Sequence, residues 1–134
     1  KLMLDAGVIV MTAFISPFRQ EREMAKNLIG SDHYVEVFVN TPLSICEQRD
    51  VKGLYTQARE GKIPNMTGVN SPYEKPCNAD YETSPDNPVS TTVNDIIKLI
   101  QFTEWLWQSM TIGQPLIVVA LYADRNQNGG EVDD

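Results

Sequence analysis

The residues that build disulfide frameworks and metal centres are scarce in this sequence. Two cysteines, Cys46 and Cys77, and one histidine, His33, stand among 134 residues. The cysteines lack metal-type spacing and are too few for a disulfide framework. A reduced, cytoplasmic compartment fits them. His33 sits in a polar turn before an apolar run and reads as a surface residue rather than a catalytic base. Basic residues are also short, with 11 Lys and Arg against 18 Asp and Glu. The formal net charge is −7 and the sequence pI is about 4.6. That balance excludes bulk binding to nucleic acid or to an anionic membrane surface, both of which need clustered cations. It leaves room for a small anion held by a few local cations. No apolar run approaches the roughly 18–20 residues that cross a bilayer. No internal repeat is present.

What is there is a one-domain globular composition, long enough to bury a core. The chain opens on Lys1 inside what reads as a helix end, Lys1–Asp5, closed by Gly7. That opening predicts an N-terminally incomplete piece of a longer protein. Val8–Phe14 is a continuous apolar run, the pattern of a strand covered on both faces. Pro17–Ile29 reads as a helix ended by Gly30. Tyr34–Asn40 is a second strand, and Leu43–Arg49 a second helix with Thr41 as its N-cap. Two strand–turn–helix units in succession predict an α/β fold, a parallel sheet with flanking helices. Tyr55–Glu60 reads as a short helix and Val89–Thr92 as a short edge strand. Val93–Gln101 carries apolar residues at helical spacing, and FTEWLWQSM extends it. Pro115–Tyr122 reads as a strand. The acidic, Gly-containing end from Asp124 reads as disordered.

Two places invite chemistry. Ser16-Pro17 interrupts the stretch VIVMTAFISPFRQER at the carboxyl end of a strand, where open α/β sheets bind ligands. A hydroxyl beside a fresh helix N-terminus suits an anion; the same Ser before Pro also reads as a plain N-cap. The polar stretch from Asp50 to about Asn78 is long for a loop inside a compact domain, as lids and binding loops are. Arg49, Lys52, Arg59 and Lys62 gather there in an otherwise acidic chain. They read equally as an anion clamp or as a solvated surface.

Three strings carry a resemblance: DAGVIVMTAFISPFRQER, VEVFVNTPLSICEQRDVKGLY and AREGKIPNMTGVNSPYEKP. In order and spacing, from about Lys1 to about Gln101, they resemble the adenylylsulfate kinase family. These enzymes move the γ-phosphoryl of ATP to the 3′-hydroxyl of adenylylsulfate, giving 3′-phosphoadenylylsulfate in sulfate activation. The resemblance implies a P-loop kinase fold, ATP as co-substrate and Mg²⁺, with the Mg²⁺ ligands mostly outside this chain. It divides the chain into a partial kinase domain at 1–101 and a C-terminal extension of unknown role at 102–134. It implies catalytic roles for Ser16 and Lys52, and an adenylylsulfate wall made of Phe14, Ile15, Ser16 and Pro17. Lys52 would neutralise phosphosulfate or phosphoryl charge, Leu54 and Tyr55 would shape a lid, and Arg49 would stack on the ATP adenine. A homodimer and association or fusion with ATP sulfurylase stay open as partner arrangements.

The sequence departs from the family in two ways. Met66 stands where the family usually has a phenylalanine that stacks on the substrate adenine, so weaker binding or altered lid closure is expected. The family's G-x-x-x-x-G-K-[ST] phosphate loop has no counterpart in these residues, nor have its acidic D-G-D-N segment and substrate arginines. The 134 residues alone are therefore expected to show no kinase turnover. Another small-metabolite kinase, or a nucleotide-binding or interaction module without catalysis, are the alternatives. Asp124, Asn126, Asn128 and Gly129 echo the start of an EF-hand loop, but no leading helix and no Glu at its twelfth position support calcium binding.

Overall fold

The computed structural model describes residues 2–6, 8–110 and 118–124, as backbone alone from residue 102. In chain order the elements are α1 (Leu2–Asp5), β1 (Val10–Phe14), α2 (Arg19–Ile29), a 3₁₀ turn (Ser31–His33), β2 (Tyr34–Asn40), α3 (Leu43–Gln48), α4 (Leu54–Arg59), β3 (Tyr81–Glu82), α5 (Val89–Met110) and β4 (Val118–Asp124). The four strands form one parallel sheet in the order β1-β4-β2-β3. This is the parallel α/β architecture that the successive strand–turn–helix units predict.

The core is built on β2. Its residues Tyr34–Phe38 are all buried, and alternate side chains serve opposite faces. Tyr34 packs with Leu4, Val10, Ala25 and Ile29 on the α2 side. Val35 and Val37 pack with Tyr81, Ile96, Leu99 and Ile100 on the α5 side. Helices thus cover both faces, which is why β2 reads as an apolar run. β4 pairs with β1 from Val10↔Val118 to Phe14↔Tyr122, and with β2 from Tyr34↔Val118 to Asn40↔Asp124. α5 passes residue 101 without a break.

Five expectations are corrected. β1 is not covered on both faces: Met11 is 62% exposed, and Val8 and Ile9 before the strand are open as well. Val89–Thr92 is the first turn of α5, not an edge strand. Pro88 starts the helix, its carbonyl accepting the Thr91 and Thr92 N–H groups, and its fixed φ suits that place more than the β-preference of VSTT opposes it. The strand at that edge is Tyr81–Glu82, within a stretch whose composition reads as turns. Its short ladder is extended by side chains: Glu36 N–H donates to Asp80 Oδ2 (2.8 Å) and Asn40 N–H to Thr83 Oγ1 (3.1 Å). Thr41 does not cap α3; Pro42 holds that place with no side-chain bond. α2 begins at Arg19, and its N-cap is Phe18, not Ser16. The Gly7 cap, residues 115–117 of the last strand and the chain after Asp124, with its EF-hand echo, lie outside the described residues.

Candidate active site

All four strands being parallel, the turns after β1, β2 and β3 emerge at one edge of the sheet. The turn after β1 is conformationally unusual. Ser16 has φ +37°, a backbone state that non-glycine residues rarely hold. Two hydrogen bonds fix it: Arg22 Nη1 donates to the Ser16 carbonyl (2.6 Å), and Glu74 N–H donates to the Pro17 carbonyl (2.8 Å). The turn offers apolar surface, with Phe14 65% and Ile15 37% exposed. Phe14, Ile15, Ser16 and Pro17 therefore sit together as one short wall.

The cap that Ser16 does not give comes from 55 residues further on. Glu74 Oε2 accepts the Arg19 N–H at 2.8 Å, placing a carboxylate on the first turn of α2, where the helix dipole favours it. Arg19 Nε donates to the Lys75 carbonyl (2.6 Å). Arg22, one turn along α2, is 4% exposed. Its Nη2 donates to the Glu74 carbonyl (2.6 Å), its Nε lies 3.2 Å from Glu36 Oε1, and its guanidinium lies 5.6 Å from the Tyr73 ring centre. Tyr73 in turn stacks on Phe38, with 6.2 Å between ring centres and 14° between planes. Burial pushes the Glu36 carboxyl above its usual range; Arg22 and Lys26 oppose that, while Asp80 and Glu23 add to it. A cavity of about 390 Å³ opens beside the pair, between α2 and residues 76–78, with Arg19, Lys26 and Cys77 on its walls.

The second half of the site follows α3. Asp50 receives the N–H groups of Tyr55 (3.2 Å) and Thr56 (3.0 Å) and the Thr56 hydroxyl (3.1 Å). It caps α4 from four residues before the helix. Slight desolvation pushes its carboxyl up, and hydrogen bonds from Thr56, Tyr55 and Leu54 outweigh that and hold it below its usual range. Gly53 completes the turn at φ +64°, where a side chain would be strained. This turn leaves Lys52 exposed and Leu54 40% exposed. Arg49 lines a cavity of about 270 Å³ with Thr41, Thr83, Ser84, Pro85 and Asn87, at the ends of β2 and β3.

The four clustered cations divide. Arg59 pairs with Glu47 (2.8 Å) and Lys62 with Glu60 (2.5 Å). Among the described residues Arg49 and Lys52 have no ion-pair partner and stay available to a ligand. The loop beyond is more built than its composition suggests. Asn70 Oδ1 accepts the Met66 N–H (2.5 Å), and Asn70 Nδ2 donates to the Ile63 carbonyl (3.0 Å). The Met66 carbonyl accepts the N–H groups of Val69, Asn70 and Ser71. Met66 itself is buried, 8% exposed, as the anchor of this knot.

The sequence reading missed Arg22, Glu36, Tyr73 and Glu74. One signal was present: Glu36 is a lone charge in the apolar strand YVEVFVN, and a buried charge needs a partner. Cys46 is half-buried, Cys77 is exposed, and both are free. His33 is half-buried in the 3₁₀ turn. Among the described residues no group of three His, Cys, Asp or Glu side chains gathers to hold a metal ion. No helix among them is long and apolar enough to cross a membrane.

Residues 1–84 match the family model described as adenylylsulphate kinase. The adenylyl-sulfate kinase of Aeromonas salmonicida is 50% identical over 107 residues, covering 79% of this chain and 55% of the relative. That of Aeromonas hydrophila is 51% identical over 102 residues, covering 75% and 52%. The structure of the Mycobacterium tuberculosis APS kinase CysC in complex with AMPPNP and APS is similar with a TM-score of 0.60 and 38% identity, over 66% of this chain and 52% of that one. The chain spans about half the length of the relatives it matches.

Proposed function

The chain belongs to the adenylylsulphate kinase family, and from that premise we propose that the whole protein phosphorylates the 3′-hydroxyl of adenylylsulfate with ATP. The hydroxyl oxygen attacks the γ-phosphorus in line, the bond to the β–γ bridging oxygen breaks, ADP leaves, and the hydroxyl proton passes to solvent. Such a transfer rests on positioning and on charge stabilisation, with no covalent protein intermediate required. The observation that carries this reading is the placing of the strings. The Ser16 turn is bonded to Glu74, at the far end of the long loop, and Arg49 lines a cavity with Thr41 and Thr83 beyond the ends of β2 and β3, which supports a site at this end of the sheet.

In this reading Phe14–Pro17 form the adenylylsulfate wall, and the Ser16 hydroxyl faces the reacting end. Lys52, unpaired and exposed, neutralises the charge of the phosphosulfate or of the moving phosphoryl group. Arg49 stacks its planar guanidinium on the ATP adenine at the smaller cavity. Leu54 closes over the substrate, and the loop anchored by the buried Met66 closes with it. A cytoplasmic location and a homodimer or ATP sulfurylase partner belong to the same proposal, and sizing the protein with and without ATP sulfurylase tests the latter.

The deciding experiment incubates the whole protein with ATP and adenylylsulfate and separates the nucleotides by chromatography. The expected result is stoichiometric ADP and 3′-phosphoadenylylsulfate. Phosphorylation of another hydroxyl acceptor in preference to adenylylsulfate overturns the substrate. Binding of both nucleotides without turnover overturns the enzyme reading in favour of a binding module.

A further inference from the structure

We infer that Arg22 is a positioning residue that clamps the Ser16 turn and the Tyr73–Lys75 end of the long loop into one unit, so that loop seating and wall geometry change together. The inference rests on the reading of Phe14–Pro17 as the adenylylsulfate wall. Arg22 does not reach that surface itself. Its two terminal nitrogens each hold a main-chain carbonyl at 2.6 Å, one at Ser16 and one at Glu74. These carbonyls belong to segments 58 positions apart in the chain, and one planar fork spans both. The Glu36 carboxylate lies 3.2 Å from the third nitrogen, an ion pair without a hydrogen bond, and attracts the fork from the sheet side. The Tyr73 ring covers the guanidinium, and Phe38 backs the ring. Lysine carries its donors on a single nitrogen and cannot reproduce a planar fork that spans two carbonyls.

The strain at Ser16 gives the clamp its purpose. A non-glycine residue at positive φ persists only where its surroundings over-determine it. Here the surroundings are the Arg22 bond to the Ser16 carbonyl and the Glu74 bond to the Pro17 carbonyl. The second is made by residue 74 itself, and the first comes from a guanidinium that also holds the Glu74 carbonyl and lies against the Tyr73 ring. Arg19 adds two further bonds across the same seam. When the loop end lifts, the turn loses what holds it and relaxes toward ordinary φ. When the loop end seats, the wall is set. A wall displaced by about 1 Å costs on the order of 10²-fold in rate, so a main-chain clamp outside the ligand surface controls substrate use.

The test is a double-mutant cycle in the whole protein. Arg22→Lys is expected to raise the KM for adenylylsulfate about 10–100-fold and leave the KM for ATP within about twofold, a split that general loss of structure does not give. Glycine at position 16 adopts positive φ without help. In a Ser16→Gly background the same Arg22→Lys change is therefore expected to raise that KM by less than about threefold. An equal penalty in both backgrounds overturns the inference. Hydrogen exchange without ligand separates the clamp from the substrate assignment. Arg22→Lys should speed exchange at residues 14–17 and 73–75 together. Faster exchange at both with an unchanged adenylylsulfate KM keeps the clamp and overturns the wall reading. Unchanged exchange at either segment overturns the clamp. Should Arg22→Lys fail to fold, Glu36→Gln, which keeps both carbonyl bonds but loosens the fork, runs the same cycle, and the same outcomes decide.

Discussion

Replacing Arg22 with methionine should destabilise the protein far more at pH 8 than at pH 5. The substitution keeps an unbranched apolar stem but removes the charge. Glu36, with its side chain 11% exposed, is then a buried carboxylate opposed only by Lys26, and two main-chain carbonyls lose their donor. Breaking a buried pair by removing one partner costs about 3–5 kcal/mol. Domains of this size have roughly 5–15 kcal/mol in all, so the variant keeps only part of its stability. The pH dependence follows from linkage. Burial already holds the folded Glu36 carboxyl above its ordinary value of 4.5. A carboxyl raised in the fold favours the folded state below its unfolded pKa, and that advantage is lost as pH rises through the folded pKa. Without Arg22 the folded value rises further, so the loss runs to higher pH. Near pH 5 the deficit should be that of the two lost carbonyl bonds, and it should grow toward pH 8 as the stranded Glu36 ionises. Glu36→Met added to Arg22→Met removes the stranded charge and should recover most of the loss at pH 8. Urea denaturation followed by circular dichroism at pH 5, 6.5 and 8 measures each arm. A deficit independent of pH, or a double variant no more stable than Arg22→Met, refutes the account of the pair.

Three further outcomes are expected. Met66→Phe restores an aromatic face at the lid and should tighten adenylylsulfate binding in the whole protein about 3–10-fold, the equivalent of roughly 0.5–1.5 kcal/mol; calorimetry showing no gain sinks the stacking reading. Arg49→Ala should raise the KM for ATP by about tenfold through loss of guanidinium–ring contact and leave the KM for adenylylsulfate alone; steady-state kinetics with each substrate varied in turn would expose an effect on the wrong one. Asp50 has a depressed carboxyl, so its contribution is present above its unfolded pKa and lost as pH falls through its lower folded pKa. Asp50→Asn should weaken the α4 cap at neutral pH and remove that share of the acid sensitivity, read as faster hydrogen exchange at residues 54–56; unchanged exchange there would count against the cap.

Much of the architecture was legible because it rests on short-range patterns. The apolar runs at Val10–Phe14 and Tyr34–Asn40, and the helical spacing at Val93, Ile96, Ile97 and Ile100, reflect periodicities that a single sequence carries. The roles proposed for Phe14–Pro17 and Arg49 rest on family strings, not on local pattern. What escaped depends on groups distant in sequence. α2 is capped by Glu74, so no local rule finds its cap, and Ser16, the locally sensible cap, spends its carbonyl on Arg22 instead. β3 has two residues, and its ladder is lengthened by the side chains of Asp80 and Thr83, which composition reads as turn formers. The basic cluster looked like four equal cations, but Glu47 and Glu60 claim two. Local charge counting sees neither pairing.

The place of β4 carries a consequence for how the molecule forms. β1 and β2 both precede β4, yet they are not hydrogen-bonded neighbours in the sheet. The strand between them comes from residues 118–124, and its pairs run from Phe14 to Tyr122 and from Phe38 to Tyr122. The sheet's closure joins residues of high sequence separation, the kind of contact that slows folding. Until β4 pairs, the facing edges of β1 and β2 stand unpaired, and open strand edges invite wrong partners.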